Sequence, residues 1–138
     1  MTNIFVDKIK SMDRVVVFGT FDPLHEGHIN MLNQAKKFGY LIVVVSHDDK
    51  IRLEKNREPR ENLLSRIGKV KKTGIADEVM AGESGNELSL LEKINPDIVA
   101  LGYDQKIPEG LKYKVKKYKI ITLKPFKPEI YKSSKIIQ

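Results

Sequence analysis

Residues 15–28 read VVVFGTFDPLHEGH, and this stretch decides the fold that we predict for the chain of 138 residues. It starts with a continuous run of β-branched and aromatic residues, which is typical of a strand covered on both faces in a parallel sheet. A short polar segment follows up to His28, where apolar residues begin to recur at helical spacing. A strand, a loop and a helix in this order predict the first unit of an α/β fold.

The rest of the chain repeats this alternation. Further apolar runs predict buried strands at residues 41–45, 98–101 and 120–123. Residues 77–81 are a weaker candidate for a strand. Apolar residues at helical spacing predict helices at residues 28–38, 61–72, 88–94 and 111–118. Alternating strands and helices with right-handed crossovers favour a Rossmann-like, doubly wound parallel sheet of about five strands with helices on both faces.

Local signals divide the chain further. Asn95-Pro96 should end the third helix because proline cannot continue the hydrogen-bond ladder, and Gly39 stands where a glycine commonly follows a helix. The polar segment 50–60 reads as an exposed, mobile loop. We expect one domain over residues 1–138, with residues 1–12 as an N-terminal extension.

Composition narrows the class of protein. The net charge is +7, which suits an anionic partner but also suits a lysine-rich solvated surface, and charge alone leaves both open. The chain contains no cysteine, so thiolate chemistry and disulfides are excluded. Its apolar runs are too short to span a bilayer, and the N-terminus lacks the pattern of a signal peptide. We therefore expect a cytoplasmic protein with no membrane partner.

The segment after the first strand carries the candidate chemistry. Gly19 lets the backbone approach a ligand closely, and the helix that begins near His28 offers unpaired N–H groups to a phosphate. His25 and His28 are three residues apart, with Gly27 between them, so both imidazoles can donate to one phosphate chain. The third histidine, His47, follows the second strand, and we interpret it as structural.

The sequence GTFDPLHEGH resembles the GTFDxxHxGH signature of the cytidylyltransferase-like nucleotidyltransferases. This family contains cytidylyltransferases, phosphopantetheine adenylyltransferases and archaeal FAD synthases, and the resemblance covers nearly all of the chain from Arg14 onward. It implies that a nucleotide contacts the following set of residues: Phe18, Gly19, Thr20, Phe21, His25, Glu26, Gly27, His28, Gly102, Asp104, Tyr131, Ser133 and Ser134.

The resemblance also implies roles for basic residues. Arg66 stands eleven residues before Asp77, where the family has an arginine ahead of a strand, and Lys55 and Arg57 stand in the loop that binds phosphates. The implied catalytic set is His25, His28, Lys55 and Arg66. Asp22 is the one candidate that we name for a metal ligand.

Two segments bear on the substrate. Residues 101–105, LGYDQ, are similar to the corresponding segment of the archaeal FAD synthases, although a plain β-turn would explain Gly102 and Asp104 equally well. Residues 132–136, KSSKI, are similar to the family's motif at a helix start, or they form only a helix cap. The Arg-Thr-Glu-Gly-Ile that precedes this motif in bacterial cytidylyltransferases is replaced by residues 127–131, KPEIY.

The resemblance therefore implies transfer of AMP from ATP to the phosphate of FMN, giving FAD and pyrophosphate, with Mg²⁺ bridging phosphate oxygens and a homodimer as the assembly. A CTP-dependent cytidylyltransferase acting on glycerol 3-phosphate or a similar phosphomonoester is the alternative enzyme. A nucleotide-binding module without catalysis is the alternative outside enzymes. A nucleic-acid partner is not expected, because the lysines carry no interleaved aromatic residues or RNP-like motif.

Overall fold

Parallel strands in one sheet position the loops of this protein. The computed structural model describes residues 13–83, 87–105 and 118–125. Within them the strands are β1 (Asp13–Gly19), β2 (Gly39–Val45), β3 (Glu78–Ala81), β4 (Ile98–Leu101) and β5 (Lys119–Thr122). The helices are α1 (Glu26–Lys36), α2 (Asp48–Lys55), α3 (Leu63–Lys72) and α4 (Glu87–Ile94). The Rossmann-like α/β class and the weaker strand at 77–81 are thereby confirmed.

The central strands are buried on both faces of the sheet. Alternate residues of β1 and β2 point to opposite sides, so Val15 and Leu41 pack with α1 and α3, whereas Val16 and Ile42 pack with α4. Burying each such side chain stabilises the fold by roughly 1.5–3 kcal/mol. This two-sided burial explains why these strands are continuous apolar runs instead of alternating patterns.

The order of strands in the sheet is β3-β2-β1-β4-β5, and every pairing is parallel. The chain grows outward from β1 to β3 and then returns to add β4 and β5 on the other side of β1. The direction of winding therefore reverses between β1 and β4, and ligands of such sheets bind in the crevice beyond the carboxyl ends of those strands. The loop after Gly19 and the loop after Leu101 flank this crevice.

One expectation for the second crossover is wrong. Residues 50–60 are not a loop throughout, because α2 occupies residues 48–55. His47 caps this helix, since its Nδ1 accepts the N–H of Asp49 at 3.2 Å, which agrees with the structural role expected for it. Ile51 is its only buried residue and Leu53 is 83% exposed, so the helix lacks the apolar repeat by which it could have been recognised.

Gly39 also has a different role from the one expected. Helix α1 ends at Lys36, and Gly39 is the first residue of β2. Its φ angle is +149°, and a Cβ there would lie 2.2 Å from the carbonyl oxygen of Asp13. Only glycine fits this close contact between β1 and β2, so the residue serves strand pairing and not the end of the helix.

The other boundaries agree with the sequence. Helix α4 ends at Ile94, immediately before Asn95-Pro96. Most of the predicted fourth helix lies outside the described residues, as do residues 1–12 and the candidate site residues Tyr131, Ser133 and Ser134. Among the helices in the described part of the chain, none has the length and apolar character needed to cross a membrane.

Candidate active site

The histidine pair lies at the start of α1, beside the crevice. His25 is the N-cap of the helix and His28 is in its first turn. The rings stack with their centroids 3.7 Å apart and their planes at 28°. Helix α1 starts two residues earlier than the sequence indicated, and this earlier start places both imidazoles at the positive end of the helix dipole.

Backbone hydrogen bonds fix the orientation of both rings. The N–H of Gly27 donates to Nδ1 of His25 at 3.1 Å, and the N–H of His25 donates to Nδ1 of His28 at 3.2 Å. Since a nitrogen that accepts a hydrogen bond carries no proton, the proton of each neutral ring lies on Nε2. The fold thus presents His28 as a hydrogen-bond donor through Nε2.

The rings are held in the neutral form. Burial lowers the pKa of His25. Burial, and then the nearby charges of His25 and Lys55, lowers the pKa of His28 to about 3. At neutral pH His28 is therefore an uncharged N–H donor, which can stabilise charge on a phosphate. It cannot act as a general acid in the usual way, because the protonated imidazolium is not populated.

This low pKa makes stability depend on pH. Between pH 6.5 and 3 the unfolded chain binds a proton at His28 that the folded chain does not, so the free energy of unfolding should fall as the pH is lowered through this interval. Urea unfolding at pH 7 and pH 5 measures the effect. The pKa values of Asp22 and Asp77 are lowered from 3.8, so those carboxyls stay ionised between pH 7 and pH 5.

The matched control compares His28, which lies in the candidate site, with His47, which caps α2. In His28→Asn the difference in the free energy of unfolding between pH 7 and pH 5 should be much smaller than in the original protein. His47→Asn keeps His28, so the part of that difference that comes from His28 should remain. An unchanged pH dependence in His28→Asn would show that His28 titrates alike in the folded and unfolded chain.

Phe21 packs against the histidine pair through its contact with His28. Its side chain is fully buried, and its ring meets His28 edge-on with centroids 5.0 Å apart. A Cβ on Gly19 would lie 2.7 Å from the ring atom Cζ of Phe21. Gly19 is therefore required to make room for the phenyl ring, in addition to any approach of a ligand. A nucleotide can reach Phe21 only through its backbone, because the side chain is enclosed.

The remaining residues of this loop differ in placement. Phe18 and Gly19 end β1, and the carbonyl oxygen of Thr20 points into the protein, where it accepts from Arg66 at 2.8 Å. Glu26 is exposed in the first turn of α1. The loop after β1 thus gathers the predicted residues 18–28 at one edge of the sheet.

Lys55, Arg57 and Arg60 form a group of cations near the histidines. The pKa of Lys55 is lowered, first by partial burial and then by the charges of Arg57 and Arg60. Lys55 is also close enough to His28 to contribute to the low pKa of that ring. Arg60 is not recognisable as a site residue from the sequence, because its spacing from Arg57 carries no signal. Only the path of the chain after α2 brings it here.

Both carboxylate oxygens of Asp22, the candidate metal ligand, accept hydrogen bonds from the protein. Its carboxylate accepts the backbone N–H groups of Arg60 at 2.8 Å and Glu61 at 3.0 Å, and the guanidinium of Arg57 at 3.0 Å. Burial by itself would raise the pKa of Asp22, but these hydrogen bonds outweigh it, so the pKa lies below its usual value. Within the described residues there is no group of three or more side chains suited to hold a metal ion.

Arg66 lies beneath the site and not in the crevice. Its side chain is fully buried, and each of its three nitrogens donates to the protein. The acceptors are the carbonyl oxygens of Thr20, Ser46 and Glu61 and the carboxylate of Asp48. Arg66 thus joins the ends of β1 and β2 to the starts of α2 and α3.

The loop after β4 faces the end of β1. The side chain of Gln105 bridges the strands, since its amide accepts the N–H of Gly102 at 2.7 Å and donates to the carbonyl of Phe18 at 3.0 Å. Gly102 is buried and Asp104 is exposed at the mouth of the crevice. Gln105 was missed as a site residue, because a glutamine in a polar loop carries no signal of its own.

Comparison with known proteins identifies the family. Residues 16–138 match the profile of the family described as Cytidylyltransferase-like. The chain belongs to this family. Two relatives called FAD synthase are similar over most of the chain. The protein of Thermococcus onnurineus is 42% identical over 91% of this chain and 89% of its own. That of Pyrococcus abyssi is 40% identical over 91% of this chain and 90% of its own.

A solved structure supports the same assignment. The lipopolysaccharide core biosynthesis protein of Thermoplasma volcanium superposes with a TM-score of 0.76 at 34% identity, covering 84% of this chain and 99% of that chain. The resemblance drawn from GTFDPLHEGH and the fold expected from it are confirmed. In this cytidylyltransferase-like protein Lys55 lies near the histidines, and Gln105 connects the loop after β4 to the end of β1.

Proposed function

We propose that this protein is an FAD synthase, which moves AMP from ATP to the phosphate of FMN and releases pyrophosphate. The proposal is carried by its similarity to proteins of that name, 42% and 41% identical over 91% of the chain in two species of Thermococcus. The chemistry of the crevice agrees with it, because neutral donors and a group of cations lie near the place where a triphosphate would bind.

In the reaction an oxygen of the FMN phosphate forms a bond to the α-phosphorus of ATP. The bond from that phosphorus to the oxygen bridging to the β-phosphorus breaks, and its electron pair leaves with pyrophosphate. A phosphomonoester has a second pKa near 6, so the attacking group is already largely ionised at neutral pH and needs no general base. The protein's task is to position the reactants and to stabilise the charge on phosphate oxygens.

His28 and His25 are assigned to the α-phosphate. Stacked rings at the N-terminus of α1 place the Nε2 proton of His28 at the positive end of a helix, where phosphate groups bind well. A neutral donor keeps its proton throughout, so the hydrogen bond can strengthen as charge develops in the transition state. Glu26 and Gly27, in the first turn of α1, are assigned to the same phosphate through their backbone.

The β- and γ-phosphates are assigned to Lys55, Arg57 and Arg60. The pKa of Lys55 is lowered first by partial burial and then by the charges of Arg57 and Arg60, and an arriving polyphosphate would relieve the repulsion among these cations. These residues also stabilise the leaving pyrophosphate. Arg66 is assigned a positioning role instead of the catalytic role implied by the resemblance, because its nitrogens already have acceptors in the protein.

Mg²⁺ is proposed to enter bound to the triphosphate. The described residues do not fit a metal held by the protein, since the carboxylate of Asp22 is occupied by N–H donors. Such ions commonly keep several waters and bind through substrate phosphates. We accordingly assign Asp22 no metal contact.

The adenosine is assigned to the crevice between β1 and β4. Gly102 and Asp104 flank it, and the exposed carboxylate of Asp104 suits the ribose hydroxyls. Tyr131, Ser133 and Ser134 complete the proposed nucleotide site from the family motif at residues 132–136. A homodimer, a cytoplasmic location and the lack of a nucleic-acid partner stay predictions.

The assay that tests the function pairs ATP or CTP with a panel of acceptors and measures pyrophosphate release. We expect ATP, FMN and Mg²⁺ to yield FAD, and CTP with glycerol 3-phosphate to yield nothing. Turnover with CTP alone would exclude FAD synthesis and leave the family intact. Binding of ATP without pyrophosphate release from any pair would indicate the binding module instead.

A further inference from the structure

Asp22 joins two loops that are distant in sequence. It belongs to the loop after β1, and its side chain is fully buried. Its partners, Arg57, Arg60 and Glu61, lie 35 to 39 residues further along the chain. We call residues 55–60, which carry the cations Lys55, Arg57 and Arg60, the basic segment.

The hydrogen bonds around Asp22 use both carboxylate oxygens and its carbonyl. Oδ1 accepts the N–H of Glu61 at 3.0 Å, and Oδ2 accepts the N–H of Arg60 at 2.8 Å. Oδ2 also accepts from the guanidinium of Arg57 at 3.0 Å. The carbonyl oxygen of Asp22 accepts from the guanidinium of Arg60 at 2.5 Å and from that of Arg57 at 3.5 Å.

These contacts oppose a repulsion. Burial first, and then the charges of Arg57 and Arg60, lower the pKa of Lys55, and the negative charge of Asp22 counteracts those two charges. Three cations held close together separate unless an anion or a rigid backbone keeps them in place. Asp22 supplies both, because it neutralises part of the charge and fixes the backbone at Arg60 and Glu61.

We infer that Asp22 is a positioning residue that holds the basic segment against the histidine loop, so that its cations meet the pyrophosphate half of the triphosphate. The assignment of that half of the site rests on the proposed function. Asp22 itself stays buried and touches no substrate. The ionised carboxylate is required, because its two oxygens accept two different backbone N–H groups.

Asp22→Asn tests the inference with little change in shape. An asparagine has one oxygen, so it can accept from Arg60 or from Glu61 but must direct its NH₂ group at the other N–H. Asp77→Asn is the matched control. Asp77 accepts from Lys36 at 2.5 Å and from the N–H of Leu41 at 2.8 Å through a single oxygen, which an asparagine retains, and it directly precedes β3, at the end of the strands opposite the crevice.

The measurement is the binding of inorganic pyrophosphate by isothermal titration calorimetry, with Tm recorded for each variant. We expect Asp22→Asn to weaken binding by at least about tenfold, the scale of losing one hydrogen bond to a charged group. Asp77→Asn should bind pyrophosphate as the original protein does. Equal affinity in Asp22→Asn and the original protein would overturn the inference.

Limited trypsin digestion gives a second readout, because the basic segment contains cleavage sites. Asp22→Asn should be cut within residues 55–60 faster than Asp77→Asn, since the segment is no longer held. Arg57→Gln keeps both backbone hydrogen bonds to Asp22, so it should weaken pyrophosphate binding without faster cutting after Arg60. If Asp22→Asn does not fold, faster cutting of Arg57→Gln after Arg60 would still contradict the inference, and resistance there would support it.

These results separate the inference from the proposed function. Pyrophosphate binding that depends on Asp22, in a protein that makes no FAD, would refute the FAD synthase and keep the positioning role. FAD formation in a protein whose Asp22→Asn variant binds pyrophosphate normally would support the FAD synthase and refute the positioning role.

Discussion

His28→Ala is expected to lower kcat for FAD formation by at least about 100-fold, as for the loss of one donor to transition-state charge. The ring is held at the N-terminus of α1 by the hydrogen bond from the N–H of His25 and by its stack with the His25 ring, so its Nε2 proton has a fixed direction. A water molecule in the vacated space would not be held in that direction. The measurement is steady-state production of pyrophosphate at saturating ATP and FMN.

His47→Ala is the control for this result. His47 caps α2 through the N–H of Asp49, so its loss should cost about 1 kcal/mol of stability and leave most of the turnover. His28→Gln, which offers an amide N–H, should recover part of the rate. A kcat for His28→Ala equal to that of the original protein would remove His28 from the chemistry.

Arg66→Ala is expected to lower the free energy of unfolding by about 3–5 kcal/mol, the range for breaking a buried ion pair. The substitution leaves the carbonyl oxygens of Thr20 and Ser46 and the carboxylate of Asp48 without their donor. Those groups lie where two strands end and a helix begins, so the site should lose its shape together with its stability. Urea unfolding followed by circular dichroism measures the change.

Arg52→Ala supplies the comparison for an exposed arginine. Arg52 pairs with Asp49 and Glu58, but its side chain is 46% exposed, so removing it should lower the free energy of unfolding far less than removing Arg66 does. The expectation for Arg66 would fail if Arg66→Ala unfolded like the original protein. Loss of activity at unchanged stability would instead favour the contact with phosphate that the family resemblance implied.

The neutral state of the histidines bears on both halves of the mechanism. The same burial that lowers the pKa of His28 to about 3 makes the ring a permanent N–H donor at the pH where FMN phosphate is ionised. The cations of the basic segment supply the positive charge that the neutral rings lack. In the proposed mechanism the site therefore separates donation at the α-phosphate from charge neutralisation at the leaving group.

The sequence by itself determined the sheet, because strands buried on both faces must be continuous apolar runs and helices between them must repeat their apolar residues. It also located the histidine loop, since GTFDPLHEGH is a local pattern whose parts fold together at the end of β1. Helix α2 was not predicted, because its single buried residue, Ile51, cannot form the apolar repeat by which a helix is recognised.

Only the tertiary structure decided the partners of Arg66 and Asp22. Arg66 and the acceptor at Thr20 are 46 residues apart, and Asp22 reaches Glu61 across 39 residues. Local patterns encode which residues are buried, but they contain no record of which loops meet when the crossovers have closed. The contact between these loops, at the carboxyl ends of β1 and β2, buries Arg66 and leaves Lys55 and Arg60 exposed.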